Sequence, residues 1–270
     1  MENAAKKETS ELERITKISE EHAFSVRQLI AQRTRQFKLF EVAGHMISFD
    51  PLPALGTVLT RVESSESQFL QDIWALLFSG GKKGGFFVEF GACDGRLISN
   101  TLLMENHFGW TGILSEPARS WHSQLKRNRK CIIDTRCVWT RSGDQVSFGE
   151  FSDDNYHTQS AIIEDQTSTI AAKYSVETVS LADLLRQHNA PRLINLISID
   201  VEGGEFGILK EFPFDEYRFG FMCVEHMQPE QEENIKGLLG RAGYTQVLRQ
   251  VSGHDGFYVP AERAKQLSLD

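Results

Sequence analysis

Apolar and polar positions change rhythm once along the chain, between about residues 41 and 65. Before that point Leu12, Ile15, Val26, Leu29, Phe37 and Phe40 form a thin apolar stripe at helical spacing on a charged background, and Ser10 with Glu13 has the form of a capping box. The pattern predicts one long charged helix reaching about Phe40. Ser19, His22 and Arg33 interrupt the seam that a coiled coil requires. Two readings of this arm stand: it packs on its own domain, or it protrudes and forms a homodimer with a second copy.

After the turn-forming Asp50-Pro51-Leu52-Pro53, short apolar runs alternate with helical patterns. Strands are predicted over 86–90, 112–116, 131–139, 193–200 and 219–225, with an accessory strand at 145–151. Helices are predicted through 101–105, over 118–129, from Ser180 to about Gln187, over 204–211, and from Pro229 to a stop at Gly243. Ser180 with Asp183 again reads as a cap. Strands over 244–250 and 256–259 flank Ser252-Gly253-His254-Asp255 as a hairpin. Strand–helix alternation means a mostly parallel sheet covered on both faces, and the terminal hairpin adds an antiparallel edge. The expected fold is a doubly wound α/β sandwich carrying an N-terminal helical arm.

Composition narrows the function. In 270 residues, 40% apolar and 10% aromatic with 7 prolines, there is enough material for a large core. The net charge is -8, which argues against nucleic acid as the main partner. Four cysteines, Cys93, Cys131, Cys137 and Cys223, make no CxxC pair, so buried reduced thiols are expected. The first residues are charged, and no run of residues is long and apolar enough for a membrane span, so a cytoplasmic location is expected.

In doubly wound folds ligands bind beyond the carboxyl ends of the strands. The first strand ends Phe87-Val88-Glu89-Phe90-Gly91-Ala92-Cys93-Asp94-Gly95, with a GxxxG turn in place of GxGxxG. Glycines let the backbone turn sharply or approach a ligand. Glu89 and Asp94 make the turn unsuited to a pyrophosphate and suited to a positive centre. The second strand ends at Glu116, 21 residues after Gly95, where an acid can accept from both ribose hydroxyls. S-adenosylmethionine (AdoMet), with a sulfonium, an amine and a ribose but no phosphate, fits this set better than NAD.

Four segments resemble the FkbM family of AdoMet-dependent methyltransferases. They are Ser67-Gln68-Phe69-Leu70-Gln71-Asp72, the run from Gly85 to Gly95, Gly109-Trp110-Thr111-Gly112-Ile113-Leu114-Ser115-Glu116-Pro117, and Ser198-Ile199-Asp200-Val201-Glu202-Gly203. The resemblance spans about residues 66 to 260 and implies a seven-stranded, Rossmann-like class I methyltransferase sheet. It also implies that Glu89, Gly91, Cys93, Asp94 and Gly95 face the methionine part of AdoMet, Glu116 and Pro117 the ribose, and Cys137 and Val138 the adenine. Gln71 and Asp72 would close the pocket from the side, and Asp200 would border the cofactor. Cys93 stands where the family often has Asn, and Gly204 where it often has Ala.

Methyl transfer to a hydroxyl needs a base or a metal ion. Alternation along the fourth strand puts Asp200 and Glu202 on one face if the strand continues, and the fifth strand ends in Glu225-His226. His226 is the expected general base, with Asp200 and Glu202 beside it. The other route, less favoured, is a divalent metal ion held by Asp200, Glu225 and His226. Glu202 before Gly203-Gly204 also reads as a helix cap, and His254 and Asp255 either line the acceptor pocket or make the turn.

The resulting expectation is an arm over 1–45, a linker over 46–65, a methyltransferase domain over 66–264 and a tail over 265–270. The resemblance implies O-methylation of a sugar, a glycan or a glycosylated natural product. The polar, aromatic and turn-rich stretch from Phe151 to Tyr174 reads either as an acceptor-facing flap or as a surface loop. The competing readings are an inactive AdoMet-binding or partner-docking module and, more remotely, an NAD-dependent oxidoreductase.

Overall fold

A computed structural model of the chain describes residues 55–151, 160–162, 170–226 and 228–266. The predicted arm, the first part of the linker, the end of the tail and most of the 151–174 flap lie outside these residues. The described chain opens with α1 (Leu55–Leu59), a 3-10 turn (Val62–Ser64) and α2 (Gln71–Phe78), so part of the predicted linker is helical.

The main sheet contains β1 (Phe86–Phe90), β2 (Thr111–Ser115), β3 (Ile132–Asp134), β8 (Leu193–Ile199), β9 (Arg218–Glu225), β10 (Tyr244–Val247) and β11 (Asp255–Pro260), in the order β10-β11-β9-β8-β1-β2-β3. The strands from β3 through β1 to β9 pair in parallel. β11 pairs antiparallel with both β9 and β10. β8 and β9 are near-continuous apolar runs because helices cover both faces of the sheet.

Helices α3 (Leu102–Phe108), α4 (His122–Asn128), α5 (Leu181–Gln187), α6 (Glu205–Lys210), α7 (Pro229–Arg241) and α8 (Ala261–Gln266) complete the described elements. α5 starts as predicted, with Ser180 Oγ accepting from Asp183 N at 3.2 Å. Pro229 occupies the first turn of α7, where a missing N–H costs nothing. Leu184, Leu209, Ile235 and Leu239 bury against Val88, Ile197 and Met222 of the central strands. On the other face Phe78 of α2 stacks on Phe221, which meets Phe257 at 5.4 Å.

Two features depart from the sequence pattern. The strand predicted over 131–139 is broken, and its halves serve different sheets. Arg136 N and Nε both donate to Asp134 Oδ1 at 3.0 Å, folding the chain into a turn between β3 and β4 (Cys137–Trp139). The second departure is a strand with no counterpart in the predicted elements, β7 (Ile170–Ser180), which lies between β4 and β5 (Gln145–Phe151) in a small sheet edged by β6 (Ser160–Ile162). Its register with β5 brings Tyr174 and Phe148 together.

Candidate active site

A cavity of about 270 Å³ opens at the carboxyl ends of β1, β2, β8 and β9. Its first wall is the β1–α3 connection, which contributes Gly91, Cys93, Ile98 and Asn100. The backbone is tight here: Gly91 has φ 70° and Gly95 φ 78°, with Cys93 at 47° and Ile98 at 51° in the same left-handed region. A side chain at Gly91 would place its Cβ 2.6 Å from the main-chain oxygen of Asp200, and one at Gly95 would meet Arg129 Cγ and Leu125 Cδ1 at 2.6 Å. Gly91 therefore admits the end of β8, and Gly95 admits Arg129. Gly95 does not line the cavity, so its glycine serves packing against α4 and not the approach of a ligand.

Glu116 directly follows β2 and forms the second wall with Ser115 and Pro117. The carboxylate is 2% exposed, and its two oxygens accept from Cys93 N and Ala118 N, each at 2.7 Å. Burial raises its pKa to about 7 despite those two bonds. Each oxygen keeps a second lone pair for a ligand hydroxyl. Over this part of the cavity lie Cys137, Val138 and Trp139 of β4 with Phe148 and Ile162 of the small sheet. Burial pushes the Cys137 thiol up to about 12 and the Cys93 thiol further, so both act as small apolar groups.

The opposite end is acidic. Asp200, Glu202, Glu225 and Asp255 line one region with His254 and Gln71. β8 stops at Ile199, and Glu202 reaches the cavity from a left-handed turn with φ 58°. Asp255 sits directly opposite Glu225 in the β11–β9 register and accepts from Gln71 Nε2 at 2.8 Å. Burial, then the charges of Glu225 and Glu202, holds Asp200 well above the usual carboxylate range, and a hydrogen bond to Glu225 reinforces this. Glu225 is raised chiefly by burial, and its Oε2 is buried with no hydrogen-bond partner among the described residues. Burial brings both Glu202 and Asp255 to about 7.

Of the residues expected to bind the cofactor, the cavity brings together Gln71, Glu89, Gly91, Cys93, Glu116, Pro117, Cys137, Val138 and Asp200. Others face elsewhere. Asp72 Oδ1 accepts from Ser65 Oγ, Ser67 Oγ and Ile73 N, which fixes the start of α2. Asp94 Oδ1 accepts from Arg96 N and Leu97 N and shapes a turn. Glu89 touches the cavity, but Ser99, Asn100 N, Thr101 and Arg129 occupy its oxygens.

Glu225 turns into the cavity, and His226, the residue after the end of β9, is absent from the lining. Its imidazole acts electrostatically on both Glu225 and Glu232 of α7, and its main-chain N–H donates to His254 O at 3.0 Å. The N-cap of α6 is Gly204, with no side-chain cap hydrogen bond; Glu205 Oε1 accepts from Val201 N and Gly203 N and closes the turn that carries Glu202. Among the described residues, no group of three or more His, Cys, Asp or Glu side chains is arranged to hold a metal ion.

Comparison with known proteins decides what this cavity belongs to. The family model for the methyltransferase FkbM domain matches residues 89–250, more than half of the chain. The chain belongs to the FkbM methyltransferase family. No curated protein matches it. Among solved structures, this FkbM methyltransferase is similar to a precorrin-6y C5,15-methyltransferase from Geobacter metallireducens GS-15, at 8% identity and TM-score 0.37 over 70% of this chain and 85% of that one. It is also similar to a ribosomal protein L11 methylase from Lactobacillus delbrueckii subsp. bulgaricus, at 11% identity and TM-score 0.38 over 70% and 76%.

Membership of the family implies AdoMet as methyl donor. The FkbM cavity has the donor set for it. Asn100 Oδ1 is a buried acceptor without a partner among the described residues, and Asn100 Nδ2 is already given to Ser198 Oγ at 2.8 Å. An orphaned acceptor beside the glycine turn suits an ammonium group. Among the described residues no lysine or arginine lines the cavity. Asn100, Ile98, Phe148, Ile162 and Ser198 were not legible as site residues in the sequence; Asn100 alone had a positional signal, as a polar residue between the glycine turn and a helix start.

Proposed function

We propose that this enzyme methylates a hydroxyl of a sugar, a glycan or a glycosylated natural product, with carboxylates of the chain taking the proton. The observation that carries the reading is the acidic end of the cavity, where Asp200, Glu202, Glu225 and Asp255 meet. AdoMet, when bound, supplies a methyl carbon activated by its sulfonium. Glu116 would hold the ribose, Asn100 Oδ1 the amine, and Val138, Phe148 and Ile162 the flat apolar face of the adenine.

An alkylated hydroxyl must lose its proton, and a base with a midpoint near the working pH is the best acceptor. Asp255 and Glu202, both near 7, fit that requirement. Asp255 is the oriented one, because the Gln71 amide fixes Oδ2 and leaves Oδ1 for a ligand. Burial and the charge of Glu225 favour the protonated form of Asp200, which shares a hydrogen bond with Glu225. With four carboxylates at the acidic end and no lysine or arginine in the described lining, a neutral polyhydroxyl compound is a better partner than a phosphorylated or carboxylated one.

A panel of sugars, glycosides and glycosylated polyketides, incubated with methyl-labelled AdoMet and read by mass spectrometry, tests this. A product carrying one added methyl on oxygen is expected, with transfer that survives EDTA. Methylation confined to amine acceptors would overturn the hydroxyl assignment. Loss of transfer with EDTA and its return with Mg²⁺ or Mn²⁺ would replace the carboxylate base with a metal-assisted route.

A further inference from the structure

Arg129 follows α4, outside the cavity, with a side chain fully shielded from solvent. Its guanidinium binds the β1–α3 connection at three points: Nη1 donates to Gly95 O at 3.2 Å and to Ser99 Oγ at 3.0 Å, and Nη2 donates to Thr101 Oγ1 at 2.8 Å. Two carboxylates fix the guanidinium in turn. Nε donates to Glu105 Oε2 at 2.6 Å, and Nη1 lies 3.6 Å from Glu89 Oε2. Glu89 then returns to the same connection, accepting from Asn100 N at 2.7 Å and from the hydroxyls of Ser99 and Thr101.

The connection held in this way bears Ile98 and Asn100 on its cavity side. Ile98 is a β-branched residue at φ 51°, a conformation that persists only where the surroundings impose it. We propose that Arg129 is a positioning residue for the methyl donor, acting from behind the cavity wall by locking Gly95 to Thr101 so that Asn100 Oδ1 faces the bound ligand. The inference rests on AdoMet as cofactor. A rigid planar fork satisfies three acceptors and two carboxylates together, and a lysine ammonium keeps the charge without that geometry.

The test uses Arg129→Lys in the full chain, with AdoMet and S-adenosylhomocysteine as probes in calorimetry and amide hydrogen exchange on the ligand-free protein. Arg129→Lys is expected to weaken both ligands by at least about tenfold, as misplaced binding groups do, and to speed exchange at the 95–101 amides. Leu239→Ala, on the core face of α7 and away from the cavity, serves as a matched loss of stability; it is expected to lower the melting temperature and leave both readouts unchanged. Should Arg129→Lys fail to fold, Thr101→Val removes one Arg129 contact and is expected to shift both readouts in the same direction. Wild-type affinity and unchanged 95–101 exchange in the variant that folds would overturn the role of Arg129 alone. A wild-type protein that binds neither ligand would overturn the cofactor reading and this inference together.

Discussion

Asp255→Asn probes the charge state of the reacting end. Burial lifts the Asp255 carboxyl from 3.8 to about 7; the Gln71 hydrogen bond opposes that rise and the Glu225 charge adds to it. A folded-state value above the unfolded one means that the native protein holds this proton more tightly. The stability so gained is complete below the unfolded pKa and is lost as pH rises through the folded one. At about 1.36 kcal/mol per pKa unit, the ceiling for the loss is about 4 kcal/mol by pH 8. Asparagine cannot ionise, and its carbonyl oxygen still accepts from Gln71. The buried amide nitrogen that replaces Oδ1 costs about 1–3 kcal/mol if left without an acceptor, so about half the ceiling, about 2 kcal/mol, is the expected gain at pH 8, or roughly 4–8 °C. Melting the wild type and the variant by calorimetry at pH 5, 6, 7 and 8 checks this. The stabilisation should grow steadily with pH while methyl transfer falls by about 100-fold or more, as loss of a general base does. A difference in melting temperature that does not vary with pH, or that runs the other way, would refute the reasoning.

Glu116→Gln sets an amide nitrogen against one of the two main-chain N–H groups now accepted at 2.7 Å, and removes the charge that a ribose would meet. AdoMet affinity by calorimetry should drop about 10- to 100-fold, in line with about 1.5–3 kcal/mol for hydrogen bonds to a charged group, and unchanged affinity would remove Glu116 from the site. His226→Ala should transfer methyl groups at close to the wild-type rate on any acceptor the screen identifies, since its ring is absent from the cavity lining; an inactive variant would restore it as a base. AdoMet binding at pH 6.5 should release protons, because a cationic ligand favours the ionised forms of Glu116, Glu202 and Asp255, all now near 7. Calorimetry in buffers of differing ionisation enthalpy reads this directly, and proton uptake would contradict it.

The sheet was legible because its signals are local. Buried runs such as Phe86–Phe90 and Leu193–Ile199 declare strands by composition, and Ser180 with Asp183 and Pro229 declare helix starts by position. β7 was not legible, because Ile170–Ser180 mixes alanine, lysine, serine and threonine without a clean alternation, and its pairing with β5 and β4 supplies what the pattern lacks. The break between β3 and β4 depends on the hold of Arg136 on Asp134, a side-chain choice that an apolar pattern does not encode.

The acids show why a site is harder to read than a fold. Glu89 and Glu116 both stand at the carboxyl ends of neighbouring parallel strands, and sequence logic assigns both to the cofactor. They differ in what lies behind them. Glu89 meets a buried arginine and three hydrogen-bond donors from the following connection, so most of its accepting capacity goes to holding that connection. Glu116 meets two main-chain N–H groups and, among the described residues, no cation, and burial raises its pKa to about 7. The deciding residue, Arg129, lies on another segment and reaches Glu89 only because Gly95 leaves room for its side chain. A glycine that looked as if it opened the backbone to a ligand opens it to an arginine, and through that arginine it bears on the ligand indirectly.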